Sequence, residues 1–336
     1  MPKVITFNKT GYDPFIDFLK AYAIVFVVVA HSFPAALWKY CLFQVWGDMQ
    51  VPMFILIQVF HAYKKGYKPS INWQSMTKRI IIPFVIIQCL ILLFRLVFSG
   101  QTSSDVLLST LKAGGFGRGS YYFWIYLQMA FILVWIWPLI MKLTRKQLTL
   151  VFLLFSIGCE ILFSVVNFPD SVYRLLAVRY LFLIPLAMIW VNEGVVLNFK
   201  RVFLSILSVS AVIFFCYTKY DLEPFFYNTA WSFHRWICYF YLPILLTWLL
   251  WKLYIYIYIY MKNNEKMMIV CKNIAKCSYE IYLVQMMVFI MLPGCVSFIH
   301  IDMVRIPLWM LLSLSFSIIG GIVLNKILQR IYKVKK

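Results

Sequence analysis

Long apolar runs alternate with short polar breaks along nearly the whole chain. A helix needs about 20 apolar residues to cross a hydrocarbon core about 30 Å thick, and ten runs approach or exceed that length. The runs cover residues 15–37, 43–62, 80–98, 122–141, 148–166, 174–191, 202–218, 236–260, 279–299 and 307–328. The pattern predicts an all-α, polytopic membrane protein with about ten transmembrane helices, in which residues 1–336 form a single integral-membrane domain.

Basic residues are concentrated in alternate breaks, which is the usual property of cytoplasmic loops. One set of breaks and the C-terminal tail contain Lys64, Lys65, Lys68, Lys78, Arg79, Lys142, Arg145, Lys146, Lys200, Arg201, Lys262, Lys266, Lys272, Lys276, Lys326, Arg330, Lys333, Lys335 and Lys336. The other set contains the scattered residues Lys39, Lys112, Arg118, Lys219, Arg235 and Arg305. This alternation predicts an N-in, C-in, multi-pass protein of the cell inner (plasma) membrane.

The composition excludes an ordinary soluble domain. Hydrophobic residues make up 63% of the chain and charged residues 13%, against about 45–50% and about 25% in soluble proteins. The net charge of +20 arises from loop clusters, so we expect no nucleic acid partner. Eight cysteines are scattered without metal-ligand spacing, and we expect no metal and no bound cofactor.

Three ionisable residues lie within the first apolar run: Asp17, Lys20 and His31. Each helical residue turns by about 100°, so all three fall on one stripe, with His31 about 16 Å beyond Lys20. An ionisable group inside a membrane costs about 2.5–3.5 kcal/mol on insertion scales, which makes His31 a candidate functional residue. The structural alternative is a histidine that only hydrogen-bonds a neighbouring helix.

The residues around this stripe resemble the first helix of the membrane-bound acyltransferase family three. That family comprises bacterial integral-membrane enzymes that O-acylate surface polysaccharides, and in it a basic residue precedes the catalytic histidine by eleven positions. The matching residues are Asp17-Phe18-Leu19-Lys20 and Val29-Ala30-His31-Ser32. Further resemblances occur in Val51-Pro52-Met53-Phe54, Lys78-Arg79-Ile80-Ile81-Ile82-Pro83-Phe84, Tyr122-Phe123-Trp124-Ile125 and Cys277-Ser278-Tyr279-Glu280-Ile281-Tyr282-Leu283-Val284-Gln285.

Three parts of the sequence depart from the family pattern. Lys20 stands where arginine is common, Gln58-Val59 where Ser-Gly is common, and Gln285 where histidine is common. Glutamine can donate and accept hydrogen bonds but cannot titrate. Whether Gln58 and Gln285 leave an active enzyme is therefore open at this point.

The resemblance implies transfer of an acyl group, usually acetyl, from a cytoplasmic thioester donor such as acetyl-CoA. The acceptor would be a hydroxyl of a surface polysaccharide or lipid-linked sugar, and membrane lipid would surround the protein. His31 would act as general base or as acyl acceptor, assisted by Lys20 and Asp17; imidazole, with an ordinary pKa near 6.5, suits either role. The predicted substrate-binding residues are Ser32, Arg79, Tyr122, Trp124, Ser278, Tyr282 and Gln285.

Within this set Lys20 and Arg79 are candidates for the phosphates of the donor, although Lys20 can instead pair with Asp17 and Arg79 can be a topology signal. Trp124 and Tyr122 can stack on a sugar or anchor a membrane interface. The glycine-rich stretch 114–120 fits a loop, because a phosphate cradle would require a preceding strand. The acceptor sugar, the acyl chain and the oligomeric state are not determined by the sequence.

Two other functions fit the same composition. A transporter or flippase of a lipid-linked sugar would use intramembrane charges as a substrate path, but such proteins commonly contain inverted repeats, and no repeat is evident here. A non-catalytic family member could take part in glycan assembly with other proteins. Transfer from acetyl-coenzyme A by the purified protein would exclude this third function.

Overall fold

The computed structural model describes residues 14–34, 50–64, 68–98, 114–166, 170–193 and 265–293, and 301–333, apart from positions 174 and 182. A few isolated positions between 104 and 110, and position 299, are also described. All regular structure in these ranges is helical, and they contain no β-strand, which confirms the all-α prediction. The candidate spans at 202–218 and 236–260 lie outside the described residues.

The described residues form ten main helices. They are α1 Pro14–Ser32, α2 Gln50–Tyr63, α3 Trp73–Phe98, α4 Tyr121–Trp135, α5 Trp137–Lys142, α6 Arg145–Val165, α7 Leu183–Glu193, α8 Glu265–Lys276, α9 Ser278–Met291 and α10 Asp302–Lys333. The helical turn Asp170–Tyr173 and the 3-10 turn Ala177–Tyr180 precede α7.

Three of the described helices, α1, α3 and α10, are long and apolar enough to cross a membrane. Helices α8 and α9 would form a fourth span, broken by a bend of 70°. Large apolar side chains on α3 and α10, such as Val97 and Leu311, are exposed at the protein surface. A surface of this kind is stable against lipid and not against water, so the chain is a membrane protein. The ten spans and the N-in, C-in orientation remain predictions.

Two predicted spans differ from the observed helices, and each contains a proline near an irregular turn. Helix α3 begins at Trp73 rather than at residue 80, and it contains a π-helical turn over Thr77–Ile81. Pro83 follows this turn and cannot donate to the carbonyl four residues earlier, so the wider turn accommodates it. The predicted span 122–141 is interrupted at Ile136, because Pro138 has no N–H to donate within a continuous helix and lies instead in the first turn of α5.

Three further predicted spans have different boundaries in the structure. The predicted span 174–191 is divided between the 3-10 turn Ala177–Tyr180 and helix α7. The predicted span 279–299 is helical as far as Met291. Helix α10 is longer at both ends than the predicted 307–328 and includes Pro307.

Helix α1 lies at the centre of the described bundle. It packs against α2, α8, α9 and α10, and Leu19, Ile24 and Val28 on it are completely buried. Its start at Pro14 suits the fixed φ of proline, and Asp17 lies in the first turn, where the helix dipole favours an acidic residue. The central position of α1 places His31, near its C-terminal end, among other helices.

Helices α9 and α10 approach each other closely at two glycines. A Cβ added to Gly321 would lie 2.5 Å from Cγ1 and 2.7 Å from Cα of Ile281, and one added to Gly320 would lie 2.7 Å from Cγ1 of Val284. Small residues allow such approach between membrane helices, where van der Waals packing replaces the hydrophobic effect. This contact fixes α9, and with it the face that meets α1.

Candidate active site

His31 is hydrogen-bonded to a side chain from the far end of the sequence. Its Nδ1 atom lies 2.7 Å from Oε1 of Gln285 on α9, and Gln285 is completely buried. Phe289, one helical turn further along α9, meets the His31 ring edge-on at 5.8 Å between ring centroids. Helix α9 therefore determines both the hydrogen bonding and the orientation of the imidazole.

The Gln285 amide has a defined orientation, and this orientation sets the tautomer of His31. Its Nε2 atom donates to the main-chain carbonyl of Arg118 at 3.0 Å, and a carbonyl oxygen can only accept. Oε1 is therefore the atom that faces His31, and since it too can only accept, Nδ1 must carry the hydrogen. The neutral ring then has its lone pair on Nε2.

The glycine-rich loop 114–119 approaches the same ring at Gly119. Gly114, Gly115, Gly117 and Gly119 all have positive φ angles, between 73° and 136°, a region that favours glycine. A Cβ added to Gly119 would lie 3.3 Å from Cε1 of His31. The loop backbone can therefore approach the imidazole more closely than a chain with side chains could.

Neighbouring side chains fix the part of the loop that faces His31. Tyr282 on α9 donates from its hydroxyl to the carbonyl of Gly119 at 2.8 Å. Arg118 donates from its guanidinium to the main-chain carbonyl of His31, while its own carbonyl accepts from Gln285. These hydrogen bonds form a closed set that connects α1, the loop and α9 around the imidazole.

The opposite side of the loop is held by α3 and α4. Gln88 binds both backbone groups of Phe116, accepting from its N–H at 2.5 Å and donating to its carbonyl at 3.2 Å. Trp124 donates from its indole N–H to the carbonyl of Gly114 at 2.5 Å. The loop is thus anchored at both faces, as expected for a backbone segment that positions a functional side chain.

A cavity of about 750 Å³ opens beside the imidazole. It extends along α1 from His31 and Arg118 to Lys20, a separation of about 16 Å for the two α1 residues. Its other polar lining residues are Ser32, Gln50, Gln58, His61, Tyr121, Tyr122, Tyr126, Ser278, Tyr279, Tyr282 and Trp309. One continuous space therefore connects the imidazole with the start of the helix.

The Lys20 end of this cavity contains positive charge in addition to that of Arg118 at the His31 end. Lys20 interacts electrostatically with Asp17 and Lys64, and His61 with Lys20 and Lys64. Lys20 and His61 both line the cavity. Two cations beside an imidazole, with one carboxylate nearby, make this end attractive to an anionic ligand group.

The structure brings most of the predicted site residues together. His31, Lys20, Ser32, Tyr122, Ser278 and Tyr282 line the cavity, and Gln285 lies directly behind the imidazole. Asp17 interacts with Lys20. Trp124 and Arg79 lie elsewhere: Trp124 is 42% exposed and binds the glycine-rich loop, and Arg79 is exposed on the π-helical turn of α3.

Several residues of the site could not be identified as such from the sequence. Arg118 and Gly119 were predicted to lie in an ordinary loop, and Gln58, His61 and Tyr126 were not assigned to a pocket. A signal for the loop was present, because four glycines in six positions indicate close backbone approach as well as a turn. In the described part of the chain, no group of three or more histidine, cysteine or carboxylate side chains is arranged to hold a metal ion.

Comparison with known proteins gives the class of protein. A family model described as an acyltransferase domain, the third of the acyltransferase families, matches residues 13–326. This match covers nearly the whole chain, so the protein belongs to acyltransferase family three, and its general activity is acyl transfer. No curated protein and no solved structure matches the chain significantly.

Proposed function

We propose that the protein transfers an acetyl group from acetyl-CoA to a hydroxyl of a cell-surface or lipid-linked glycan. The observation that carries this proposal is the hydrogen bond between His31 and Gln285 beside a cavity. It leaves Nε2 of His31 as the basic nitrogen in a space that also contains polar and aromatic side chains. Sugar hydroxyls need such a base, because they are weak nucleophiles at neutral pH.

Two chemical routes are compatible with this geometry. In the first, the sugar oxygen forms a bond to the thioester carbonyl carbon while Nε2 takes the hydroxyl proton; the C–S bond then breaks, and the thiolate leaves with that proton. In the second, Nε2 itself bonds to the carbonyl carbon and the C–S bond breaks to release the thiolate. The hydroxyl oxygen then bonds to the same carbon while the N–C bond breaks, and the hydroxyl proton passes through Nε2 to the thiolate. Both routes require the Nδ1–H tautomer.

The two ends of the cavity suit the two substrates. The phosphates of the donor would lie at the Lys20 end, where Lys64 and His61 add to the positive electrostatic environment. The acceptor sugar would meet His31 near Ser32, Tyr122 and Tyr282, with Ser278 further along the cavity wall. Arg79 and Trp124 lie outside this cavity, and we assign them no contact with substrate.

Gln285 fits an active enzyme in this scheme. Its amide holds the imidazole through a neutral hydrogen bond and does not need to titrate, because Nε2 carries the proton. The proposal places the enzyme in the inner membrane as a multi-pass protein, with the Lys20 end of the cavity toward the cytoplasm. The basic clusters of the loops support this orientation.

Ester content of the envelope glycan provides the test. Cells that express the wild type and His31→Ala at equal abundance would be compared by proton NMR of the extracted polysaccharide. Wild-type cells should contain O-acetyl esters that the variant lacks. Equal ester content in the two strains would contradict the proposal.

A further inference from the structure

Gln58 lines the cavity, and its side chain contains a buried oxygen with no hydrogen-bond partner among the described residues. Gln58 on α2 donates from Nε2 to the main-chain carbonyl of Tyr126 at 3.0 Å. Because that carbonyl can only accept, the amide orientation is defined, and Oε1 is the free atom. Oε1 is buried and unpaired. An unpaired buried carbonyl destabilises a protein, so a ligand that donates to it would gain a favourable contact.

The position of Gln58 indicates which part of a ligand would reach it. Gln58 and His61 are three residues apart on α2, hence on one face, and both line the cavity. His61 interacts with the charges of Lys20 and Lys64. Gln58 therefore lies one helical turn from the cationic end of the cavity, on a helix other than the one that carries His31.

A thioester donor of the coenzyme A type matches this arrangement in length and in chemistry. Its pantetheine arm joins an anionic phosphate to the thioester sulfur through about thirteen bonds, equivalent to a little over four extended residues, or about 15 Å. The separation of Lys20 and His31 along α1 is about 16 Å. The arm also contains two secondary amides, whose N–H groups are hydrogen-bond donors that Oε1 of Gln58 can accept.

We propose that Gln58 binds the acyl donor, with its Oε1 accepting a hydrogen bond from an amide N–H of the pantetheine arm. With the phosphate at Lys20 and the thioester at His31, the amides lie in the intervening part of the cavity. A sugar hydroxyl is the other class of group that could donate to this oxygen, but the acceptor sugar occupies the His31 end. This inference rests on the proposed function and names a residue that would bind the acyl donor.

Two acetyl donors of similar length test whether Gln58 Oε1 accepts from an amide of the donor or from a sugar hydroxyl. S-acetylpantetheine contains both amides, whereas S-decyl thioacetate contains none. In lipid nanodiscs with a fixed glycan acceptor, Gln58→Met should lower kcat/KM for S-acetylpantetheine about 10-fold, which is typical for a lost buried hydrogen bond. The value for S-decyl thioacetate should stay within about twofold. Gln58→Glu keeps an acceptor oxygen and should retain the preference for S-acetylpantetheine.

Gln50 offers a matched control on the same helix. It also lines the cavity and also donates from Nε2 to a backbone carbonyl, that of Phe26. Gln50→Met should change the rates with the two donors by the same factor. An equal loss with both donors in Gln58→Met, or a raised KM for the glycan instead of the donor, would overturn the proposal.

A binding measurement keeps this proposal separate from the proposed function. Calorimetry with coenzyme A requires no turnover, and Gln58→Met should weaken its binding about 10-fold relative to Gln50→Met. Gln58-dependent binding by an inert wild type would support the donor site and contradict acyl transfer. If the wild type is active but Gln58→Met and Gln50→Met bind coenzyme A with equal affinity, the result would support acyl transfer and contradict a role for Gln58.

Discussion

Gln285 Oε1 lies 2.7 Å from Nδ1 of His31, and the Nε2 atom of the same amide donates to the carbonyl of Arg118. A neutral side chain thereby determines which nitrogen of the imidazole carries the hydrogen. Carboxylates often orient histidines in active sites, but the amide achieves the same tautomer without adding a charge to a buried site.

The first prediction concerns Gln285 as a positioning residue. Gln285→Leu removes the acceptor for Nδ1–H, so the ring can turn or adopt the other tautomer, and kcat should fall on the order of 100-fold or more. Gln285→Glu retains the acceptor for Nδ1–H but loses the donor to the Arg118 carbonyl, so it should recover part of this loss. Acyl transfer by purified variants of equal thermal stability gives the measurement. If Gln285→Glu were as inactive as Gln285→Leu, the tautomer argument would fail.

The second prediction concerns the clearance between Gly119 and the imidazole. Alanine at 119 would be strained at a φ of +89° and would place its Cβ 3.3 Å from Cε1 of His31. A positive φ costs roughly 1–2 kcal/mol in a residue with a Cβ. Gly119→Ala should therefore lower kcat at least 10-fold by displacing the ring.

Gly158 on α6 is a suitable control, because a Cβ added there meets nothing within 4 Å. Gly158→Ala should leave transfer unchanged. Normal kcat in Gly119→Ala would show that the close approach of the loop has no part in catalysis.

The third prediction concerns the cationic end of the cavity. Lys20→Met should raise KM for acetyl-CoA about 10-fold while changing kcat little, because the lost charge acts on a remote part of the donor. Lys20→Arg keeps the charge and should restore KM. Lys142 ends helix α5 outside the cavity, and Lys142→Met should behave as wild type. A Lys20→Met enzyme with a normal KM would argue against phosphate binding at this end.

Part of this site was predictable from the sequence because it depends on a single helix. The stripe of Asp17, Lys20 and His31 follows from helical periodicity, and the structure places these residues along one side of α1. The bond between His31 and Gln285 joins positions 254 apart in sequence. It depends on how α9 packs on α1, which periodicity does not specify.

The same limit explains why the sequence does not reveal the contact between the loop 114–119 and His31, or the position of Trp124 outside the cavity. The stretch 114–119 was recognisable as a loop, but its contact with His31 arises from the packing of α3, α4 and α9 around it. Tyr122 and Trp124 were both predicted to bind substrate. Residues two apart on a helix differ by about 200°, so Tyr122 faces the cavity while Trp124 faces the loop.

The fourth prediction tests the packing that positions α9. Alanine at Gly321 would meet the backbone of Ile281, which cannot move aside, whereas alanine at Gly320 would meet a methyl group of Val284. Overpacking typically costs 1–3 kcal/mol. Gly321→Ala should therefore lower the Tm in detergent by about 5 °C, and Gly320→Ala by less. The reverse order would mean that the two helices pack differently from this description.

The central claim is that Nε2 of His31 carries out acyl transfer between the two ends of one cavity. The most direct measurement is the rate of coenzyme A release, coupled to ester formation, by purified protein in lipid nanodiscs supplied with acetyl-CoA and envelope glycan. Wild type should form one ester for each coenzyme A released, and correctly folded His31→Ala should form none above background. Ester formation by His31→Ala at the wild-type rate would contradict the claim.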